Sequence, residues 1–211
     1  MKYLLYGALF CCFFLSCKKE PGPGGIASVK GKVLTRYYDR QFRYFQYEHY
    51  STETSVYIIY GDQEGYGDKT TTSNDGVFIF RYLQPGKYTV YVYSEDSTLS
   101  VPGNELVVQK EITISKGDKE VDAGVLTRVK TLDYDEGYAS ICGTITKVGD
   151  NVFIKFPDGS TDNVRSDEAG HYCFTRLLKG VYTVYWINSG ITYSRTDTIT
   201  GTYEQKIINF P

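Results

Sequence analysis

The sequence predicts an all-β protein that contains two β-sandwich domains in tandem. Short runs of Val, Ile, Thr, Tyr and Phe alternate with Gly, Asp and Asn, and no helical periodicity follows the first residues. The stretch from Gly76 to Ser94 also recurs from Gly170 to Asn188. The residues shared by the two stretches are Gly76/Gly170, Phe80/Phe174, Leu83/Leu177, Gly86/Gly180, Tyr88/Tyr182, Thr89/Thr183, Val90/Val184 and Tyr91/Tyr185. A repeat of this length predicts two copies of one structural unit.

Each repeat has the pattern of a β-hairpin. Its leading glycine follows polar residues that favour a tight turn. In the first copy Phe78 and Phe80 then alternate with outward-facing residues, which is the period of a strand with one buried face. Pro85-Gly86 predicts the next turn, and Tyr88 and Val90 resume the alternation on the returning strand.

The same pattern resembles prealbumin-like (transthyretin-like, Ig-like Greek-key) sandwich modules of the Cna-B or carboxypeptidase-regulatory-like type. These modules combine a Gly-x-Val first strand, an Asp/Asn-Gly-x-aromatic strand and a Leu-x-Pro-Gly-x-Tyr-x-Val turn. The first strands here are Val29–Val33 and Ile141–Ile145. The resemblance covers most of the mature chain and implies the fold. Such modules serve as stalks, spacers, adhesin parts or sugar-binding accessories, so the resemblance leaves the function open.

The N-terminal residues predict secretion and lipidation. Met1-Lys2 precedes an apolar run from Tyr3 to Leu15, which is the pattern of a signal peptide and too short for a membrane span. Leu15-Ser16-Cys17 resembles a lipobox, which implies cleavage before Cys17 and acylation of this cysteine. Lys18 follows where an Asp would signal inner-membrane retention, so the resemblance implies an outer-membrane lipoprotein with its leaflet face undecided. The alternative is an ordinary signal peptide with an incidental cysteine.

These features predict five segments. Residues 1–16 form the signal peptide, and 17–25 the lipidated cysteine with a flexible Pro/Gly-rich tether. The first sandwich spans 26–129 and the second 137–211, joined by an acidic linker at 130–136. The linker lacks the ordered oxygen spacing of a calcium loop, so we interpret it as solvated and predict no metal site there.

The charge balance argues against a nucleic-acid partner. The formal net charge is −2 and no segment is strongly basic. The resemblance to a lipobox instead implies that the membrane is a partner, reached through the lipid at Cys17, and the other predicted partner is an envelope protein or a glycan.

Two cysteines remain after the signal peptide and the lipidated residue are set aside, namely Cys142 and Cys173. Both interrupt the inward-facing alternation at the same phase and so point outward. In the fold that the chain resembles, their strands are neighbours, which implies cross-strand proximity. A disulfide and a pair of free thiols remain alternatives, because sequence spacing does not determine geometry.

The segment 36–53 is unusually long and aromatic for a sandwich connection. Its candidate ligand-binding residues are Tyr37, Tyr38, Phe42, Tyr44, Phe45, Tyr47 and Tyr50. Their rings could stack on sugars or enter a partner protein. Alternatively, they extend the first hairpin and pack on the sheet. The only tryptophan, Trp186, follows the phase of core residues.

No pattern predicts catalysis. The two histidines, His49 and His171, fall in different domains, and no nucleophile, phosphate-loop or zinc motif occurs. We therefore predict a non-enzymatic protein without cofactor or metal. The predicted function is a structural or protein-interaction lipoprotein of the outer membrane. The alternative is a carbohydrate-binding accessory lipoprotein that uses the aromatic residues of segment 36–53. Assembly by strand exchange is weaker, because no donor-strand tail is evident.

Overall fold

The computed structural model describes residues 20–211, which form fifteen β-strands. The predicted signal peptide and Cys17 lie outside the described residues. Within residues 20–211 no helix has the length and apolar character needed to cross a membrane. The chain folds as two β-sandwiches in tandem, as the alternating pattern predicts.

The first domain packs two four-stranded sheets face to face. Its strands are β1 (Pro23–Asp39), β2 (Phe45–Tyr50), β3 (Ser55–Tyr60), β4 (Asp68–Thr71), β5 (Val77–Leu83), β6 (Gly86–Glu95), β7 (Glu105–Ile114) and β8 (Glu120–Leu132). In one sheet, β1 pairs antiparallel with β5 through its first half and with β2 through its second half, and β8 runs parallel along its other edge. The other sheet has the order β4-β3-β6-β7.

The second domain repeats this arrangement with smaller sheets. Its strands are β9 (Ala139–Thr144), β10 (Asn151–Lys155), β11 (Thr161–Arg165), β12 (His171–Leu177), β13 (Gly180–Asn188), β14 (Ile191–Ile199) and β15 (Gln205–Ile207). The order β11-β10-β13-β14 matches β4-β3-β6-β7, and β12-β9-β15 matches β5-β1-β8. Strand β2 has no counterpart, so the β1–β2 hairpin is an addition to the common unit.

The repeated glycines explain why the two hairpins share a sequence. Gly76 and Gly170 both adopt a positive φ, 71° and 78°. At Gly170 a Cβ would also collide with the carbonyl oxygen of Ile145, so the turn requires both the left-handed backbone and a missing side chain.

Each sandwich has its own apolar core built from the inward positions of the alternation. Phe78, Phe80 and Val90 belong to the first core. Trp186 is fully buried in the second core, where its indole Nε1 donates to the Asp150 carboxylate over 3.3 Å. This position agrees with the core interpretation of the tryptophan.

Strands β1 and β8 extend further than the sequence predicts. Strand β1 begins at Pro23, inside the predicted tether, where the Gln84 side chain donates to the Pro23 carbonyl over 2.8 Å. Strand β8 continues to Leu132, inside the predicted linker, because its last residues pair with the extended end of β1. Local composition predicts a coil at both places, and pairing with distant strands overrides it.

Candidate functional site

The domain junction is built on the turn between β1 and β2. Asp39 ends β1 and is fully buried. Its Oδ1 accepts hydrogen bonds from the backbone amides of Arg43 at 2.7 Å and Tyr44 at 2.6 Å. Tyr134 follows β8 in the chain, and its hydroxyl donates to Asp39 Oδ2 over 3.4 Å. One carboxylate therefore closes the hairpin and contacts the segment that leads to the second domain.

The environment of Tyr134 shows how enclosed the junction is. Burial, together with the nearby negative charge of Asp39, raises the pKa of Tyr134 to about 12. The ring also stacks on Phe156 of the second domain with centroids 5.5 Å apart. The phenol is therefore neutral at physiological pH and acts as a hydrogen-bond donor.

Polar contacts from the hairpin hold the second domain directly. Gln46, which is buried, forms a reciprocal pair with Lys179: its Nε2 donates to the Lys179 carbonyl, and the Lys179 amide donates to its Oε1. The Lys179 ammonium also donates to the Gln46 carbonyl over 2.5 Å, and Arg43 donates to the Pro157 carbonyl over 2.7 Å. These contacts fix the hairpin against two different loops of the second domain.

A small apolar core completes the junction. Leu132, Tyr134 and Leu178 are buried together, and Tyr37, Tyr47 and Phe156 pack against them. The residues come from the hairpin, from the link between the domains and from the second sandwich. We call this set and its polar contacts the joint.

The structure divides the seven candidate aromatic residues among different surroundings. Tyr37 and Tyr47 lie in the joint, where their ring centroids are 4.9 Å apart. Tyr38 contacts Phe42 and Phe45, and the Phe45 ring is 43% exposed. The remaining two residues are Tyr44, which supplies its amide to Asp39, and Tyr50, which lies under the Lys32 ammonium at 4.5 Å. The residues do extend the first hairpin, and they do not form one surface.

Two further tyrosines join Tyr37 and Tyr47 in a group of rings that crosses the domain boundary. The group, here called the ring cluster, contains His49, Tyr37, Tyr47, Tyr138 and Tyr203, and its first three rings form a triangle because His49 also lies 6.1 Å from Tyr47. Centroids are separated by 5.2 Å (His49–Tyr37), 4.9 Å (Tyr37–Tyr47), 6.5 Å (Tyr47–Tyr138) and 5.2 Å (Tyr138–Tyr203).

Sequence reasoning missed Tyr138 and Tyr203. Each lies close to a glycine in a polar segment, Gly137 for Tyr138 and Gly201 for Tyr203, which is a signal that their rings are exposed. Burial, followed by the proximity of Tyr138, raises the pKa of Tyr47, as expected for a phenol enclosed among other rings.

The two cysteines are direct cross-strand partners. Cys142 on β9 pairs with Cys173 on β12, and the structure joins them in a disulfide with Cα atoms 3.9 Å apart. The matching positions of the first domain hold Lys30 and Ile79, which also pair. The oxidation state in solution stays a prediction.

Mass spectrometry of residues 18–211 is the measurement for this pair. We expect no alkylation of Cys142 or Cys173 without reductant and two alkyl groups after reduction, since disulfides persist in an oxidising envelope. Alkylation of both thiols before reduction would contradict the prediction.

The remaining chemistry-bearing residues are dispersed. Within residues 20–211 no group of three or more His, Cys, Asp or Glu side chains is placed to hold a metal ion. His49 belongs to the ring cluster, whereas His171 contacts Asp167 of the second domain at 3.3 Å.

No family model and no curated protein matches the chain. Among solved structures, the chain is similar to the TIE protein of Bacillus anthracis, with 18% identity over 86% of this chain and a TM-score of 0.33. It is also similar to a streptococcal ancillary pilin (11% identity, 85% of this chain, TM-score 0.29) and to GBS52, the minor pilin of Streptococcus agalactiae (11%, 87%, 0.30). The chain spans 34%, 61% and 94% of these three structures, respectively. At these TM-scores the likenesses assign neither a family nor a function.

Proposed function

We propose that this chain is a non-enzymatic, prealbumin-like lipoprotein of the cell envelope, a structural or protein-interaction module anchored at the outer membrane through Cys17. The joint is the observation that carries the proposal. A hairpin that the second domain lacks is used to hold the two sandwiches together, as a spacer requires and as independent domains on a flexible linker do not.

The direction of β1 supports a spacer. This strand has 17 residues and therefore spans about 55 Å at roughly 3.3 Å per residue. Its N-terminal end pairs with Leu83, and its C-terminal end reaches the joint. An anchor that precedes Pro23 would therefore hold the first domain near the membrane and present the second domain further away.

The number of contacts within the joint also supports a spacer function. Domains connected only by a short acidic linker would move independently. Here the joint combines a buried apolar cluster with hydrogen bonds from Arg43 and Gln46 to the second domain. A module held in this way transmits force and keeps a fixed distance between its ends.

Lipidation is tested by a Cys17→Ser substitution in the full-length chain. We expect the wild-type protein to begin at residue 17, to carry the mass of its acyl chains and to sediment with the outer membrane. The variant should lose the lipid mass and leave the outer-membrane fraction, because two or more acyl chains provide the stable anchoring.

A Cys12→Ser variant is the control, because this cysteine lies within the predicted signal peptide. It should be processed and sorted like the wild type. If Cys17→Ser keeps both the lipid mass and the outer-membrane location, the lipoprotein assignment is wrong.

Carbohydrate binding, as an accessory lipoprotein, is the second candidate function. The observation that favours it is the exposure of Phe45 and Tyr50 within segment 36–53, each of which is 43% exposed. An exposed aromatic ring can offer a flat apolar face to a sugar ring.

A further inference from the structure

Strand β14 is a free edge of the second domain. Among the described strands it pairs only with β13, because it ends the sheet order β11-β10-β13-β14. A two-residue turn, Ser189-Gly190, joins β13 to β14, and its residues have φ values of 49° and 83°. Positive φ at both residues is typical of a type I′ hairpin. The ladder then continues to Gly180 and Ile199 without a register shift, so a regular strand is left open on one side.

The phase of this ladder determines which backbone groups lie at the open side. The residues that flank a two-residue turn form a hydrogen-bonded pair, and such pairs alternate with pairs that are not hydrogen-bonded. The backbone groups of every second residue therefore point away from β13, and these residues are Thr192, Ser194, Thr196 and Thr198. The Thr198 amide agrees with this phase, because it donates to the Asp197 carboxylate over 2.7 Å.

The sequence of β14 is self-complementary about Thr196. In an antiparallel pair of two β14 strands with Thr196 opposite Thr196, Ser194 lies opposite Thr198 on the outer face of the sheet. On the inner face, Arg195 of each copy lies opposite Asp197 of the other. Hydroxyl pairs and pairs of opposite charge stabilise antiparallel strands. Both faces of the strand are therefore matched to a second copy.

The charges select this register over its neighbours. Side chains alternate between the two faces, so a symmetric pair must be centred on a residue. A pair centred on Arg195 would oppose two guanidinium groups, and a pair centred on Asp197 would oppose two carboxylates. Like charges directly opposite each other destabilise the pairing. Of these three centres, Thr196 is the one that brings opposite charges together.

Both charged side chains have capacity for such a contact. Within residues 20–211 Arg195 forms no ion pair, and its side chain is exposed. Asp197 uses its Oδ1, which lies 3.4 Å from the Lys206 ammonium and accepts the Thr198 amide. Its Oδ2 can therefore accept a guanidinium N–H from a second copy.

The corresponding edge strand of the first domain carries a charge where β14 carries a hydroxyl. Strand β7 has the same place in its sheet as β14. Glu111 pairs with Thr89 as Thr196 pairs with Thr183, so Glu111 and Thr196 correspond. A β7 pair centred on Glu111 would oppose two carboxylates. Charged residues on an edge strand are a common protection against edge-to-edge pairing, and the outer face of β14 lacks them.

We propose that β14 is the interface at which two copies of this chain pair edge to edge, so that their four-stranded sheets become one continuous sheet. Backbone hydrogen bonds along the edge and two Arg195–Asp197 ion pairs would hold the dimer. The contact is one strand wide and smaller than a standard protein interface, so we expect a Kd on the order of 10 μM. The interface lies in the second domain and does not depend on the lipid anchor.

Sedimentation-velocity ultracentrifugation of residues 18–211, at concentrations from about 1 to about 300 μM, tests the proposal. We expect the sedimentation coefficient to rise with concentration from the monomer value to the dimer value. Thr196→Pro removes an amide that points away from β13, a position where edge strands tolerate proline. The Kd should rise about tenfold or more, because the symmetric pair loses two backbone hydrogen bonds.

Glu111→Pro is the matched control, because it makes the same change at the corresponding position of β7. The Glu111 amide also points away from the neighbouring strand. The Asp96 amide donates to the Asn104 carbonyl, and this pair sets the phase of the β6–β7 ladder. The control variant should associate like the wild type. Circular dichroism should show that both proline variants are folded, since neither amide is bonded within its own sheet.

An exchange of charges tests the register independently of proline. Arg195→Asp places carboxylates opposite each other and should raise the Kd about tenfold or more. Arg195→Asp/Asp197→Arg restores opposite charges across the pair and should recover most of the affinity. Lys206 keeps Glu204, at 2.8 Å, as a partner when Asp197 is replaced. Recovery is expected for a pair centred on Thr196 and not for the neighbouring registers.

The outcomes are as follows. Association that Thr196→Pro and Arg195→Asp weaken, and that the exchanged pair restores, supports the interface. A wild-type chain that stays monomeric at the highest concentration overturns it. Association that Thr196→Pro leaves unchanged, or that Glu111→Pro weakens equally, also overturns it. If Thr196→Pro does not fold, the charge exchange decides, and failure of the double variant to recover affinity overturns the proposed pairing.

Discussion

Substitution of Asp39 by Ala is expected to lower the free energy of unfolding of the first domain by about 3 kcal/mol and to open the joint. The carboxylate is fully buried and accepts the amides of Arg43 and Tyr44 as well as the Tyr134 hydroxyl. Removing it leaves these donors without their partner, and each buried unsatisfied donor costs about 1–3 kcal/mol. The hairpin turn that carries Arg43 and Gln46 then loses its support.

Urea denaturation measures the stability, and small-angle X-ray scattering measures the maximum dimension of residues 18–211. The control variants are Asp39→Asn, which keeps an acceptor for the two amides, and Tyr134→Phe, which removes only the 3.4 Å contact. Both should lose less than Asp39→Ala, with Tyr134→Phe below about 1 kcal/mol because that hydrogen bond is long. If Asp39→Ala retains wild-type stability and dimensions, the carboxylate does not organise the joint.

Substitution of Gly170 by Ala should destabilise the second domain by at least about 3 kcal/mol, through two additive causes. Its φ of 78° is a left-handed conformation that costs an alanine about 1–2 kcal/mol. The added Cβ would also meet the carbonyl oxygen of Ile145, which cannot move without disturbing the hydrogen bond from the Ile145 amide to the Gly170 carbonyl.

Gly190 provides the matched control in the same domain. Its φ is 83°, but no atom lies within 4 Å of the position that a Cβ would take. Gly190→Ala should therefore show only the backbone cost of about 1–2 kcal/mol. Chemical denaturation of both variants gives the difference. If the two substitutions lower the free energy of unfolding equally, the close approach to Ile145 does not contribute to the destabilisation.

The alternation of apolar residues was sufficient to predict the sheets and the buried faces of the repeated hairpins. Phe78, Phe80 and Val90 face the first core, and Cys142 and Cys173 share the outward phase. These inferences depend on a period of two residues and on turn chemistry, which are local properties. They could therefore be made without knowing any long-range contact.

Local sequence patterns could not predict the surroundings of the aromatic residues in segment 36–53. Its composition is compatible with a ligand site and with an extended hairpin, and both alternatives had to remain open. In the structure the hairpin forms, and its rings then face different surroundings: Tyr37 and Tyr47 enter the joint, while Phe45 stays at the surface. The extension of β8 to Leu132 was missed for the same reason, because it depends on pairing with the end of β1.

The sequence by itself determined that this chain is an all-β protein with two related sandwiches, because alternation and turn residues act between near neighbours. The tertiary structure alone decided how the domains meet and which rings share a surface. Gln46 and Lys179, for example, are 133 residues apart, and Tyr203 joins the ring cluster through its contact with Tyr138. Such contacts depend on the docking of two completed cores, and no local pattern encodes that geometry.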